Sequence, residues 1–367
     1  MQMKAGKGDD IGSMRTLPSM FYKDPSLLEE MKEVIFARSW QLVTDVDRLK
    51  APGQVVPHSV MEGFLDEPII MTRDTDDQLH CLSNVCTHRG NLLVEGECHA
   101  QSLRCRYHGR RFSLDGQMVT APGFEGVEDF PNQSDHLQSV PFASWRKFLF
   151  AATTTDSPLF ALSDLTQPMS DRVEFLPIEE YVFNQARSRD YIVRANWALY
   201  VDNYLEGFHI PYVHPDLAVA LDTKDYSNEV FDYGSLQVGV SPTQGEGFED
   251  IPKDSPDYGR NIAAYYYFLF PNMMFNFYPW GLSINLVTPL AVDRTKVSFL
   301  TYVYDESKMS TGAGAALDKV EREDEDIVEK VQRGMTSRFY DSGRYSPKHE
   351  SGVHHFHGLI REFLGID

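Results

Sequence analysis

Two short motifs constrain this chain of 367 residues more than anything else in it. Cys86-Thr87-His88 and Cys105-Arg106-Tyr107-His108 each set a thiol beside an imidazole, and a glycine, Gly90 or Gly109, follows closely. Sixteen residues separate the two pairs, enough for a hairpin whose tips meet. Ligands one or two positions apart on a tight turn can both face one metal. The segment therefore reads as two loops closing on a shared centre.

Two thiolates and two imidazoles allow two chemistries. One is a tetrahedral zinc ion. The other is a Rieske [2Fe–2S] cluster, with both cysteines on one iron and both histidines on the other. Structural zinc loops use C-x2-4-C knuckles or H-x3-5-H on a helix, whereas the alternating C-x-H and C-x-x-H order suits the cluster. Cys86, His88, Cys105 and His108 are thus expected to hold a Rieske cluster. The other two cysteines, Cys81 and Cys98, lack such neighbours and read as buried small hydrophobes. Four cysteines cannot staple a chain this long, which excludes a disulfide scaffold.

A second concentration of ligand types lies at Glu206-Gly207-Phe208-His209-Ile210-Pro211-Tyr212-Val213-His214. If a helix ends near His209, the chain can return His214 to the same side. Two histidines and one carboxylate make the facial triad of a non-haem Fe(II) oxygenase, which leaves positions for O₂. Alone, the pair reads equally well as two loop histidines without a metal, but a one-electron carrier on the same chain needs a destination. The carboxylate must come from elsewhere, and VEREDEDIVEKVQRG offers Glu321, Glu323, Asp324, Glu325 and Asp326. Leu317, Val320, Ile327, Val328 and Val331 form an apolar helical face on which Asp324 falls, while Asp326 sides with Glu329, Lys330 and Arg333. A carboxylate on an apolar face is costly to bury without a partner, and a cation is one. Asp324 is the expected third ligand. Glu206, three before His209, shares its face if the segment is helical and is expected to orient a ligand histidine or link the two centres.

The organisation around these sites follows from texture. Hydrophobic residues make up 42% and charged residues 24%, an ordinary globular balance, and the length suggests two domains. Residues 1–20 read as a loose arm. Asp24-Pro25 then starts a helix carrying Leu28, Met31 and Ile35. Short apolar runs with turn signals, including a hairpin at Asp115-Gly116, predict a small all-β domain. The polar DSPLFALSDLTQPMSD reads as a connector. Beyond it, strands mix with a long helix from about Gly312 to Ser337. The Gly/Pro/Asp-rich SPTQGEGFEDIPKDSPDYGR reads as a lid or a disordered loop. The expected divisions are 1–40 (arm and helix), 41–155 (cluster domain) and 171–367 (mononuclear iron domain). No dinucleotide fingerprint, transmembrane run or export signal is present, which predicts a cytoplasmic protein with no pyridine-nucleotide or flavin site of its own. The formal net charge of −20 repels phosphate backbones and anionic membranes, so nucleic-acid and membrane-surface binding are excluded.

Together the two ligand sets resemble the Rieske non-haem iron oxygenases, specifically their catalytic alpha subunits, from about Phe21 to Leu364. NYLEGFHIPYVHPDLA, FLFPNMMFNFYPWGLSINLVTPL, EDEDIVEKVQRG and GRYSPKHESGVHHFH are similar to segments of the choline- and carnitine-oxidising members. The resemblance implies His209, His214 and Asp324 as iron ligands and Glu206 as the acidic bridge to a neighbouring subunit's cluster histidine. It implies an α+β fold, a Rieske [2Fe–2S] β-sandwich followed by a helix-grip domain with a curved antiparallel sheet and a long C-terminal helix, in a head-to-tail homotrimer. Electrons would come from a separate reductase or ferredoxin, with NAD(P)H acting only through it. The family's proline and tryptophan near the second motif are replaced by Arg106 and Arg110-Arg111, which bears on the donor surface and the cluster's potential. His354, His355 and His357 read as packing.

The implied reaction is O₂-dependent hydroxylation of a small substrate, monooxygenation ahead of dioxygenation, with a quaternary ammonium compound leading through the resemblance. Tyr204, Phe208, Tyr212, Phe275, Phe277, Tyr278 and Trp280 are the candidate pocket. Their faces suit a quaternary ammonium by cation–π attraction and equally a flat aromatic substrate, and at least half are expected to be core. A non-catalytic iron–sulfur carrier or zinc-binding module is the competing class, and it leaves His209, His214 and Asp324 without a purpose.

Overall fold

The computed structural model describes residues 11–222 and 224–366, so the expected loose arm over 1–10 lies outside the described residues. The rest of that arm is held in place. The Thr16 amide donates to the Gly343 carbonyl (3.2 Å) and the Ser19 amide to that of Asp341 (2.6 Å). Leu17, Phe21 and Tyr22 are buried, which explains why a segment without helical periodicity is nonetheless fixed. Asp24 then caps α1 (Pro25–Met31), its side chain accepting from the Ser26 amide at 2.8 Å.

The chain forms two compact units, residues 35–162 and residues 163–367 joined by the segment up to residue 34. The arm and first helix therefore group with the C-terminal unit instead of standing apart as residues 1–40.

The first unit is all β. Its strands are β1 (Gln41–Asp45), β2 (Gln54–Val60), β3 (Glu67–Arg73), β4 (Leu79–Ser83), β5 (Cys98–His99), β6 (Leu103–Arg104), β7 (Arg111–Phe112), β8 (Met118–Thr120), β9 (Phe142–Trp145) and β10 (Phe148–Ala151). They make three small sheets, ordered β1-β10-β9, β4-β3-β2-β5 and β6-β7-β8. Val55, Ile70, Leu82, Leu103, Phe112 and Leu114 interdigitate as a core that also takes in Cys86 and Cys105. The hairpin at Asp115-Gly116 forms as expected, with Ser113 N–H donating to Gln117 O at 2.9 Å. Cys81 is buried, but Cys98 is exposed, because its two-residue edge strand has no layer over it.

The second unit begins with a correction. The polar stretch read as a connector contains α2 (Leu162–Val173), whose Leu165, Met169 and Val173 repeat at helical spacing and are fully buried. There follow β11 (Val182–Phe183), β12 (Arg189–Val193), α3 (Trp197–Tyr204), α4 (Ile210–Val213), α5 (Leu217–Ala220), β13 (Ser227–Phe231) and β14 (Gly234–Val240). Next come β15 (Ile262–Leu269), β16 (Met273–Tyr278), β17 (Gly281–Ala291), β18 (Arg294–Val303), α6 (Leu317–Gly334) and α7 (Ser351–Leu364). An eight-stranded antiparallel sheet runs β11-β18-β17-β16-β15-β14-β13, with β12 also on β18.

The segment 241–260 is neither lid nor disordered loop. Asp257 is fully buried and accepts from Arg172 Nε (2.6 Å), Arg260 Nη1 (2.8 Å) and the Tyr265 hydroxyl (3.0 Å). The long helix starts at Leu317, later than expected, after a single 3-10 turn at Gly312–Gly314. Its buried line is Glu321, Val328 and Gln332, while Val331 is exposed. The expected apolar face is therefore rotated, and two polar residues occupy the true one. His357 is buried in α7 and bonds Asp202 (2.8 Å) and Tyr345 (2.7 Å), a packing role as expected. Among the described residues, no helix is long and apolar enough to cross a membrane.

Candidate functional site

The two cysteine–histidine loops are built alike. The Gly90 amide donates to Cys86 O (3.0 Å) and the Gly109 amide to Cys105 O (3.1 Å). Cys86 N–H donates to Asn91 O (2.9 Å) and Cys105 N–H to Arg110 O (2.8 Å). Both glycines have left-handed backbone, φ +69° and +79°, which a side chain would strain. The matched turns bring the His88 and His108 rings to 4.6 Å between centroids. Both thiols are buried. Burial raises the pKa of Cys86, whereas at Cys105 amide donors at Tyr107 and His108 outweigh burial and bring the thiol below its ordinary value. The His88 Nδ1 is buried without a hydrogen-bond partner among the described residues, as a ring nitrogen kept for a metal would be. Two buried thiols, that of Cys105 favoured toward the thiolate, and two facing imidazoles fit the cluster.

Arg110 does not belong to a docking surface. It is 3% exposed, its guanidinium lies 4.4 Å over the Phe124 ring, and it bonds Thr87 Oγ1 (3.1 Å) and pairs with Asp135 (3.6 Å). It braces the first loop from beneath. Arg106 and Arg111 are exposed.

In the second unit, Asn196 caps α3 by accepting from the Ala198 amide, and the helix ends at Tyr204, before Glu206 and His209. These two are joined by a turn instead of a helix. Glu206 accepts from the His209 amide (3.0 Å) and faces its Nδ1 at 2.8 Å. His209 then precedes the single turn of α4, which returns His214. His214 Nδ1 meets Glu323 at 2.8 Å, and its Nε2 lies 2.9 Å from Asp324. His209 Nε2 lies 3.6 Å from the same Asp324 oxygen, which also accepts from Asn203 Nδ2 at 2.6 Å. One ligand atom each from His209, His214 and Asp324 falls within 4.8 Å of the others. With each Nδ1 held by a carboxylate, the Nε2 atoms are left to converge on Asp324, the arrangement of metal-binding histidines with outer-shell carboxylates. The His214 pKa is raised: burial lowers it, but Asp324 and Glu323 outweigh burial. The donor set fits a mononuclear ferrous ion.

Sequence reasoning missed Glu323 and Asn203. Among the four consecutive acids 323–326, nothing but the rotation of α6 separates an outer-shell carboxylate from a ligand.

A cavity opens beside this set. Its sheet side is a row of register partners, Gln237–Tyr266–Asn276–Ser283 across β14 to β17, with Asn285 two residues beyond Ser283. Strand alternation decides which expected pocket residues reach it. Tyr204 and Tyr278 line the cavity. Phe275 and Phe277 alternate with Asn276 and so point to the opposite, fully buried face. Trp280 stacks behind Tyr278 at 5.1 Å, while Phe208 and Tyr212 are 44% and 79% exposed. These five are corrected out of the lining. Tyr200, Tyr226 and Tyr266 join it instead, as does Glu321. The usable signal was a polar residue at alternate positions of apolar strands, such as Asn276 and Asn285. Glu321 is 3% exposed, and burial pushes its carboxyl up to about 8 although the Tyr200 hydroxyl donates to it at 2.7 Å.

A small β unit with a two-cysteine, two-histidine centre, followed by a sheet-and-helix unit with a two-histidine, one-carboxylate centre, defines a two-metal redox protein. Residues 39–131 match the Rieske [2Fe-2S] domain, and residues 178–366 match the ring hydroxylating alpha subunit (catalytic domain). The chain is 30% identical to the chloroplastic choline monooxygenase of Arabidopsis thaliana, over 96% of this chain and 83% of that protein. It is 28% identical to the carnitine monooxygenase oxygenase subunit of Escherichia coli (strain K12), over 95% of this chain and 93% of that one. A solved quaternary ammonium Rieske monooxygenase superposes with a TM-score of 0.79 at 24% identity, covering 96% of each chain. Naphthalene 1,2-dioxygenase from Rhodococcus sp. shares the fold at a TM-score of 0.70 and 18% identity, over 95% of this chain and 94% of that one. The chain belongs to the Rieske non-haem iron oxygenases, as a ring-hydroxylating-type catalytic alpha subunit. It is an oxygenase whose cofactors are a Rieske [2Fe–2S] cluster and a mononuclear iron, with O₂ as co-substrate. Alpha subunits of this family take electrons from a separate reductase or ferredoxin and form oligomers.

Proposed function

We propose that the chain is the oxygenase component of a cytoplasmic monooxygenase system that hydroxylates a small quaternary ammonium compound. The observation that carries this is the cavity itself. It is walled by Tyr200, Tyr204, Tyr226, Tyr266 and Tyr278 and abuts His209, His214 and Asp324. Tyrosine faces attract a cation, and enclosure strengthens that attraction. The choline and carnitine monooxygenases to which the chain is similar support the same substrate class. The free cysteines accord with a reducing compartment.

Residues 41–155 would carry the cluster, on Cys86, His88, Cys105 and His108. Residues 171–367 would carry the iron, on His209, His214 and Asp324. When bound, the cluster supplies single electrons and the iron activates O₂ toward a C–H bond. The chain's own residues do the rest. Glu206 and Glu323 hold both imidazoles as Nδ1–H tautomers, and Asn203 holds Asp324. The tyrosine walls exclude water and position the substrate. Glu206, whose carboxylate already holds His209, would be the bridge to the cluster histidine of a neighbouring subunit in a head-to-tail trimer.

The test is reductase- and NADH-supported O₂ consumption screened against choline, betaines and simple aromatics. A quaternary ammonium compound should stimulate uptake and return hydroxylated. Stimulation by the aromatics alone would replace the substrate class with ring hydroxylation.

A further inference from the structure

The charges of the cavity lining are unequal. Among the described residues that line it are three carboxylates, Glu206, Glu321 and Asp324, and two imidazoles, but no lysine or arginine. Glu206 is engaged by His209, and Asp324 by His214 and Asn203. Glu321 is different. One of its oxygens accepts from Tyr200, while the other, Oε1, is buried without a hydrogen-bond partner among the described residues. It stands one helical turn before Asp324, on the face of α6 that Leu317 and Val320 also present to the cavity.

A carboxylate kept in an enclosed site with one oxygen unanswered is destabilising unless something completes it. Glu321 lines the cavity, so an occupant there can supply that completion. A quaternary ammonium has no N–H to donate, but its positive methyl groups can sit against an acceptor oxygen while tyrosine faces surround the rest. At the sheet side, the amides and hydroxyl of Gln237, Asn276, Ser283 and Asn285 can bond a neutral polar group. The Fe(II) that His209, His214 and Asp324 would hold offsets two of the three carboxylate charges, so a carboxylate on the substrate would still face a net negative lining with no lysine or arginine among the described residues.

We infer that Glu321 is the counter-ion seating the cationic head of the substrate, and that the cavity selects a cation with a neutral polar tail, of the choline type, over zwitterions that carry a carboxylate. This rests on the quaternary ammonium reading above and narrows it. Burial that disfavours an isolated Glu321 charge is the condition under which a cationic occupant is rewarded most.

The experiment measures dissociation constants by calorimetry on oxygen-free, iron-loaded protein for choline, its uncharged tert-butyl analogue, glycine betaine and carnitine. Choline should bind about tenfold or more tightly than both the uncharged analogue and the zwitterions. Glu321→Gln should bring choline down toward the uncharged analogue, leaving the analogue's own affinity in place, and Glu321→Asp should retain part of the preference. An unchanged choline preference in Glu321→Gln overturns the assignment, as does a zwitterion that binds as well as choline. Should Glu321→Gln fail to fold, the wild-type ratios and Glu321→Asp still decide. Loss of affinity for every quaternary ammonium in the wild type, with binding of an aromatic, overturns the parent reading and this assignment with it. The two failures are thereby distinct.

Discussion

Each ligand histidine gives its Nδ1 to a carboxylate, yet Glu206 and Glu323 are not equivalent. Glu323 comes from α6 and lies 3.8 Å from Lys319, which also pairs with Asp216. It is a fixed support for His214, a ring only 1% exposed. Removing such a support leaves a buried ligand free to rotate and typically weakens metal affinity 10- to 100-fold. Glu323→Ala should therefore release iron from the mononuclear site, read as a weaker constant in anaerobic Fe(II) titration, with the cluster's visible spectrum unaltered. Glu206 is held within its own turn by the His209 amide, and Gln there could still accept from Nδ1–H. Glu206→Gln should accordingly keep both centres loaded while slowing substrate-triggered oxidation of the cluster in a single turnover. If that oxidation keeps its wild-type rate, Glu206 is a support like Glu323 and no bridge.

At the scale of elements, α2 and the segment 241–260 depend on one another. Polar composition hides both, since Asp, Ser and Gly are common to linkers and to buried ion-pair joints. Arg172 at the end of α2 reaches Asp257, and Arg260 closes the other side. Asp257→Asn leaves two guanidiniums facing an amide in a buried position, and breaking such a pair costs about 3–5 kcal/mol. The denaturant midpoint of the C-terminal unit should fall accordingly, whereas an unchanged midpoint would make the joint incidental. The same logic explains what was legible beforehand. Cys86, His88, Cys105 and His108 are readable because each loop closes within five residues, so spacing alone carries the geometry. His209, His214 and Asp324 needed one long-range step, supplied by the chemistry of a two-histidine set. The cavity needed strand register, which decides between Asn276 and its neighbours Phe275 and Phe277. The rotation of α6 needed the partners of Gln332, which accepts from the Asn196 amide at 2.8 Å and so turns Val331 outward.

For the molecule as a whole, the two centres draw their ligands from different compact units and share no residue. The first is braced by Arg110, Thr87 and Asp135, the second by Glu206, Glu323 and Asn203. Within one chain, no brace belongs to both sets. The cluster's thiols are buried among Leu103, Phe112 and Leu114, whereas the mononuclear set opens to a cavity through which a small chelator can reach it. A ferrous chelator under anaerobic conditions should thus remove the mononuclear iron alone. Substrate-dependent O₂ uptake should vanish while acid-labile sulfide and the cluster's visible circular dichroism persist. Fe(II) should restore uptake, and Zn(II), which has no redox chemistry to offer, should occupy the site without restoring it. Bleaching of the cluster in step with the loss of uptake would show that the two centres are structurally coupled and would refute the independence that their separate ligand sets imply.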